Sequence, residues 1–150
     1  MSQANNRKGF YPADINAVPT TLPIGTAQTL TKGDAVILSS GLVKIAEATS
    51  AELAGIIAQD VAAPAAKTLV KVWGPNNPDM EFIGRMDGST SYVAGGDVDL
   101  TGTTGAMQLD ANATSTNVFL LLRKHPDDVQ GAGERWYVRI NKNAFANTSS

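Results

Sequence analysis

From Lys32 onward the chain is a succession of short, β-branched or apolar segments, cut every few residues by Gly, Asn, Asp or Pro. No other feature constrains the fold as much. The segments are too short for helices, and turn residues bound each one. Ala35 to Ser39 and Leu42 to Ala46 flank Ser40-Gly41, a tight hairpin signal. Thr68 to Trp73 is rich in β-branched residues and stops at Gly74-Pro75-Asn76-Asn77-Pro78. Met80 to Met86 stops at Asp87-Gly88, Tyr92-Val93 leads to Gly95-Gly96, and Asp97 to Leu100 is expected to pair with Ala106 to Leu109. Val118 to Leu122 is continuously apolar, which predicts cover on both faces. Arg135 to Asn141 alternates, with Trp136, Val138 and Ile140 on one face and Arg135, Tyr137 and Arg139 on the other. Strands at this spacing, without alternating helices, predict an all-β body, a small barrel or sandwich.

One stretch departs from the rhythm. Thr49-Ser50-Ala51-Glu52 has the form of a capping box, and Leu53, Ile56, Ile57 and Val61 recur near helical spacing. Gly55 and Pro64 oppose a helix. The expectation is a turn over Thr49 to Leu53 and a strand from Ile56 to Val61, with one short helix as the alternative.

Residues 1–31 follow different rules. The segment is polar at its start, is broken by Pro12, Pro19 and Pro23, and shows no sustained apolar period. It nevertheless carries Phe10, Tyr11, Ile15, Val18, Leu22 and Ile24, which a disordered tail lacks. Apolar anchors on a proline-stiffened strip predict an extended arm lying along another surface, with those side chains as its contacts. About 30 extended residues reach roughly 100 Å, against a radius of gyration near 14 Å for a body of about 120 residues, so such an arm could wrap its own body and is long enough to reach a neighbour. The division expected is an arm over 1–31 and a β-rich body over 32–150 ending in a short flexible tail. Multi-subunit assembly is the first functional expectation.

Composition narrows the partners. The net charge is −2 and 17% of residues are charged, so no basic footprint points to nucleic acid. Aromatic residues are few and not interleaved with Lys or Arg, which argues against a stacking platform for single strands. With no Cys, disulfides, thiolate nucleophiles and zinc–thiolate sites are absent together. No apolar run approaches membrane-spanning length, and Ser2 to Gly9 lacks the apolar core of a signal peptide.

Candidate chemistry is sparse. His125 is the single histidine, and its neighbours Pro126-Asp127-Asp128 read as a surface turn. Asp97-Val98-Asp99-Leu100-Thr101-Gly102 imitates the opening of a calcium loop, but position 12 falls on Gln108 where a bidentate Glu belongs. Gly131-Ala132-Gly133 lacks the third glycine and the helix of a phosphate-binding fingerprint. Trp73 and Trp136 sit in alternating strands and read as core or subunit interface. Arg85 and Arg139 join them as interface candidates able to form ion pairs across a contact. No catalytic constellation, cofactor signature or metal-ligand set emerges, and the expectation is a protein that is not an enzyme.

The order of the elements carries a resemblance. Thr31-Lys32-Gly33-Asp34-Ala35-Val36 leads into Ser40-Gly41-Leu42-Val43-Lys44-Ile45-Ala46, then Leu53-Ala54-Gly55-Ile56-Ile57-Ala58-Gln59-Asp60. Later, Val93-Ala94-Gly95-Gly96-Asp97-Val98-Asp99-Leu100 is followed by Asn117-Val118-Phe119-Leu120-Leu121-Leu122. This progression, over roughly Lys32 to Ile140, resembles the head decoration (cement) proteins of tailed bacteriophages. The resemblance implies a small β-rich domain on the outside of an expanded capsid, commonly a trimer, that clamps neighbouring major capsid proteins against internal DNA pressure. It also implies an N-terminal arm against the capsid or a neighbouring subunit, a virion location, and host cytoplasm before assembly.

Two rivals stand beside it. A trimeric β-rich chain of this size is the format of dUTPases, but the sequence around Asp87 in Gly84-Arg85-Met86-Asp87-Gly88 shows none of that family's extended motifs. The other is a carbohydrate- or receptor-binding module of a phage surface or tail, using Trp73 or Tyr137 at a rim.

Overall fold

The computed structural model describes residues 9–26, 28–88, 93–111, 114, 116–125 and 134–141. Among them the chain forms fourteen short strands and no helix. In chain order these are β1 (Tyr11–Pro12), β2 (Thr20–Pro23), β3 (Thr29–Leu30), β4 (Ala35–Ser39), β5 (Leu42–Ile45), β6 (Gly55–Ile57) and β7 (Val61–Ala62). They continue as β8 (Leu69–Trp73), β9 (Glu81–Arg85), β10 (Asp97–Val98), β11 (Leu100–Thr101), β12 (Gln108–Leu109), β13 (Phe119–Lys124) and β14 (Arg135–Ile140).

The β4–β5 hairpin turns on Ser40 and Gly41, both at positive φ (53° and 79°), the two-residue loop that matches strand twist. From it grows a five-stranded antiparallel sheet, β2-β8-β6-β4-β5. The sheet curls until its ends meet. Ile24, just past β2, bridges Val43 of β5, and the Gly25 N–H donates to the Val43 carbonyl at 2.9 Å. Gln28 completes the closure with its side chain: Nε2 donates to the Val43 carbonyl at 3.0 Å, and Oε1 accepts from the Ile45 N–H at 2.9 Å. The interior of this small barrel holds Ile24, Val36, Val43, Ile57, Val70 and Val72, with Leu30 and Val61 from the β3–β7 pair.

A second antiparallel sheet, β1-β9-β14-β13-β10, packs on the barrel's flank. Its inner face contributes Phe82, Trp136, Val138, Phe119 and Leu121, and the barrel answers with Ala35 and Ile56. Neighbouring residues of the barrel strands therefore point into different cores. Ala35 and Ile56 face the second sheet while Val36 and Ile57 face the barrel interior, and all four are fully buried.

Three expectations change here. Val118 to Leu122 is not covered on both faces: Phe119 and Leu121 are buried, whereas Leu120 and Leu122 are half-exposed. Runs buried at successive positions are β6 and the start of β4, in the barrel wall, and Phe82 to Arg85 of β9 in the second sheet. The 49–62 stretch forms no helix. Glu47 to Ser50 is a turn closed by the Glu47 N–H on Ser50 Oγ at 3.0 Å, and the expected strand is split into β6 and β7. Gly55 starts β6 because any Cβ there would strike the Trp73 carbonyl and sit 2.7 Å from Val72 Cγ1. Likewise Asp97 to Leu100 divides. β10 pairs with β13, and only β11 pairs with β12. Tyr92 and the C-terminal tail lie outside the described residues, and Val93 belongs to no strand.

The largest correction concerns residues 9–31, which are not an arm apart from the body. They supply an edge strand to each sheet: β1 pairs with β9, and β2 pairs with β8. Pro12 and Pro23 suit such edges, where a missing N–H leaves no gap in a ladder. Phe10 is 1% exposed and stacks on Phe119, ring centroids 4.7 Å apart at 25°. Its ring occupies the space a side chain at Gly84 would need, since a Cβ there would lie 2.6 Å from Phe10 Cδ1. The strands are too brief to display a period of two, which is why the strip carries no readable rhythm.

Phe10→Ala is expected to destabilise the fold by about 3–5 kcal/mol in urea unfolding. Gly84→Ala should cost about 1–3 kcal/mol by driving a methyl into the same ring. Deleting residues 1–29 removes Phe10, Ile24 and both edge strands, and calorimetry of that chain should show no cooperative transition.

Candidate partner-binding loop

Between β1 and β2 the chain must turn from one sheet to the other, and residues 13–19 do so as a braced loop. The Ala13 N–H donates to the Glu81 carbonyl at 3.0 Å, continuing the β1–β9 ladder. Asp14 then opens a turn in both ways open to an aspartate. Its carbonyl accepts from the Ala17 N–H at 3.0 Å, and its Oδ1 accepts from the Asn16 N–H at 2.8 Å. Ala17 packs against the core, and the Val18 carbonyl accepts from Asn76 Nδ2 at 3.4 Å. Facing the loop is the 74–80 turn, closed by the Asn77 N–H on the Gly74 carbonyl and the Met80 N–H on the Asn77 carbonyl. The two turns enclose a cleft of ≈ 440 Å³ whose lining includes Asp14, Val18, Asn76, Asp79 and Glu81.

At the loop's tip Ile15 is 94% exposed, and Val18 is 65% exposed. Single exposed aliphatic residues are ordinary. Two on one loop, three residues apart and held by hydrogen bonds at both ends, form a small apolar contact whose backbone is already ordered. Binding through it costs little conformational entropy. Of the strip residues named from sequence, only these two are offered outward. Phe10 and Ile24 are core residues, Leu22 packs half-buried on the barrel core, and Tyr11 lies half-buried opposite Ile83.

The four interface candidates are not gathered on one surface. Trp136 is 3% exposed in the core, its Nε1 donating to Glu134 Oε1 at 2.9 Å. Arg85 is buried opposite Arg135 in the β9–β14 register. Arg139 is partly exposed and pairs with Asp79 at 3.6 Å. Trp73 is on the barrel, half-buried, with the Lys32 ammonium 5.7 Å from its ring centroid. Trp136 and Arg85 are thus buried within a single chain, in stretches of β9 and β14 where neighbouring residues are buried as well.

His125 stacks on Tyr137, centroids 5.5 Å apart at 6°, while the Arg123 guanidinium lies 4.0 Å from the same ring centroid. Asp127, Asp128 and Gly131-Ala132-Gly133 fall outside the described residues. The calcium-loop imitation resolves into strands. Asp99 is buried and accepts the Thr116 and Asn117 N–H groups, both at 2.8 Å, and Asp97 accepts from Asn141 Nδ2 at 3.2 Å. Among the described residues no group of three or more His, Cys, Asp or Glu is placed to hold a metal. No helix of the described residues is long and apolar enough to cross a membrane.

The sequence did not mark Asp34 as special, yet it is 1% exposed and ties two loops together. Oδ2 accepts from the Thr31 N–H at 2.9 Å and from Thr104 Oγ1, and Oδ1 accepts from the Gly105 N–H at 2.9 Å. The only signal is its place after Gly33 at the entry to β4. Models of known protein families and curated proteins give no match to this sequence.

Asp34→Ala strands two backbone N–H groups and a hydroxyl, and should lower stability by about 2–4 kcal/mol in denaturant titration. Ser40→Ala, on the exposed hairpin, is the control and should shift it far less.

Proposed function

We propose that this protein decorates the outside of an expanded bacteriophage capsid and cements neighbouring major capsid proteins. In this reading it acts as an oligomer, with the Ile15–Val18 loop as the capsid contact. The role is structural and has no chemical step. The observation that carries the reading is the braced loop itself, which presents two unburied aliphatic side chains from a rigid β body. The element order shared with head decoration proteins supports it.

The energetics suit a clamp. Seating Ile15 and Val18 in a partner's apolar sockets contributes about 1.5–3 kcal/mol per side chain at full burial. One such contact is weak. Several presented by one oligomer act at high effective concentration and hold by avidity. A shell that forms the sockets only on expansion would be decorated only after expansion. The carbohydrate-binding alternative finds less support, since Arg123 and His125 already lie against Tyr137.

Co-sedimentation with expanded, undecorated heads tests the reading. The full-length chain should bind saturably. Ile15→Ser with Val18→Ser should weaken binding at least about tenfold, roughly 1.4 kcal/mol, and leave the thermal midpoint within about 2 °C because neither side chain is buried. Absence of binding by the full-length chain would sink the capsid assignment.

A further inference from the structure

Away from the loop just described, the barrel carries two more surfaces with matching chemistry. Where the barrel meets the β11–β12 hairpin, a groove of ≈ 680 Å³ opens between residues 28–30, 45–48 and 102–104. Leu30, Ile45, Ala46 and Ala48 give it an apolar lining, and the exposed Glu47 stands at its rim. On β8, Leu69 is 62% exposed on the same strand face as the exposed Lys71, and Lys67 is exposed just before the strand. The β2 residues opposite them, Pro23 and Thr21, are short and leave this ridge uncovered. Among the described residues Glu47, Lys67 and Lys71 form no ion pair.

We propose that these are the two halves of one self-association contact. Leu69 of one copy enters the groove of a second copy, and Lys67 and Lys71 meet Glu47 at its rim. One chain carries both halves: an exposed aliphatic side chain flanked by cations, and an apolar groove flanked by an anion. Ridge and groove use different strands of the barrel, β8 against β5 and the residues around β3. The contact is therefore head-to-tail, and a bound pair still offers one free ridge at one end and one free groove at the other. Repetition closes into a ring when the rotation permits and otherwise runs on as a filament. The inference names how copies join. It stands whether or not the capsid assignment holds, and its test uses no capsid.

Sedimentation equilibrium of the full-length chain should show reversible association. Leu69→Asp removes the ridge and Ala48→Arg blocks the groove. Both positions are exposed, and far-UV circular dichroism should match the parent. Each variant alone should associate at least about tenfold more weakly. Mixed together they should form a one-to-one dimer, because one variant keeps its groove and the other its ridge. A second pair avoids the apolar positions: Lys71→Glu and Glu47→Lys should each weaken association, and the double variant should recover most of the loss. A parent chain that stays monomeric at every concentration overturns the proposal. So does a Leu69→Asp chain that associates like the parent, or a mixture of the first two variants that stays monomeric.

Discussion

Consecutive side chains of β6 and the start of β4 feed two different cores, and these stretches keep no face for water. Ala35 and Ile56 require the second sheet to cover them, while Val36 and Ile57 require the barrel to close behind them. Burying an isoleucine is worth about 1.5–3 kcal/mol, so leaving either side open forfeits much of what a domain of this size has to spare. Barrel and sheet therefore stand together. The closure by Ile24, Gly25 and Gln28 follows from the same requirement, since an unclosed wall would leave Val43 and Ile45 with unpaired backbone groups beside a hydrophobic interior.

Connections make up much of the chain, and buried carboxylates organise several of them. Asp34 gathers the turns at 31–34 and 103–105, and Asp99 holds 116–117. Asp87, itself exposed, does the same for the Ala111 N–H at 2.8 Å. Glu134 sits between Trp136 Nε1 and the Lys124 ammonium, 3.8 Å away. Each acts as an acceptor for donors that no strand ladder reaches, which is the condition on which irregular backbone can be buried. Asp99, the one of these in the calcium-loop imitation, works as a staple between loops.

The β class, the Ser40-Gly41 hairpin, β8, β9 and the alternating face of β14 were legible because each segment is long enough to show its period or ends in an unmistakable turn. Residues 9–31 were misread for the opposite reason. Tyr11–Pro12 and Thr20–Pro23 are too short for a pattern, and prolines that signal an exposed strip also fit sheet edges. Phe10 in particular gives no local hint of its partners, Gly84 and Phe119, which are far along the chain. The two-faced burial of β6 was hidden because an apolar run says how greasy a strand is and not which surfaces meet it. At the candidate site, Ile15 and Val18 were on the page as apolar residues, but only the fold separates them from Phe10 and Ile24, which have the same chemistry and the opposite fate.

The threading of residues 9–31 also bears on how the chain is made. The Gly9 N–H donates to the Met107 carbonyl at 3.0 Å, β1 pairs with β9, and Phe10 rests on Phe119. Residues 9–31 thus find their place only after the later strands have emerged. Contacts so distant in sequence make for slow closure, because a long loop must be ordered before it is rewarded. Until then Phe10 and Tyr11 ride exposed on a nascent chain whose partners do not yet exist. Phe10 is made before its partners and can be buried only after them.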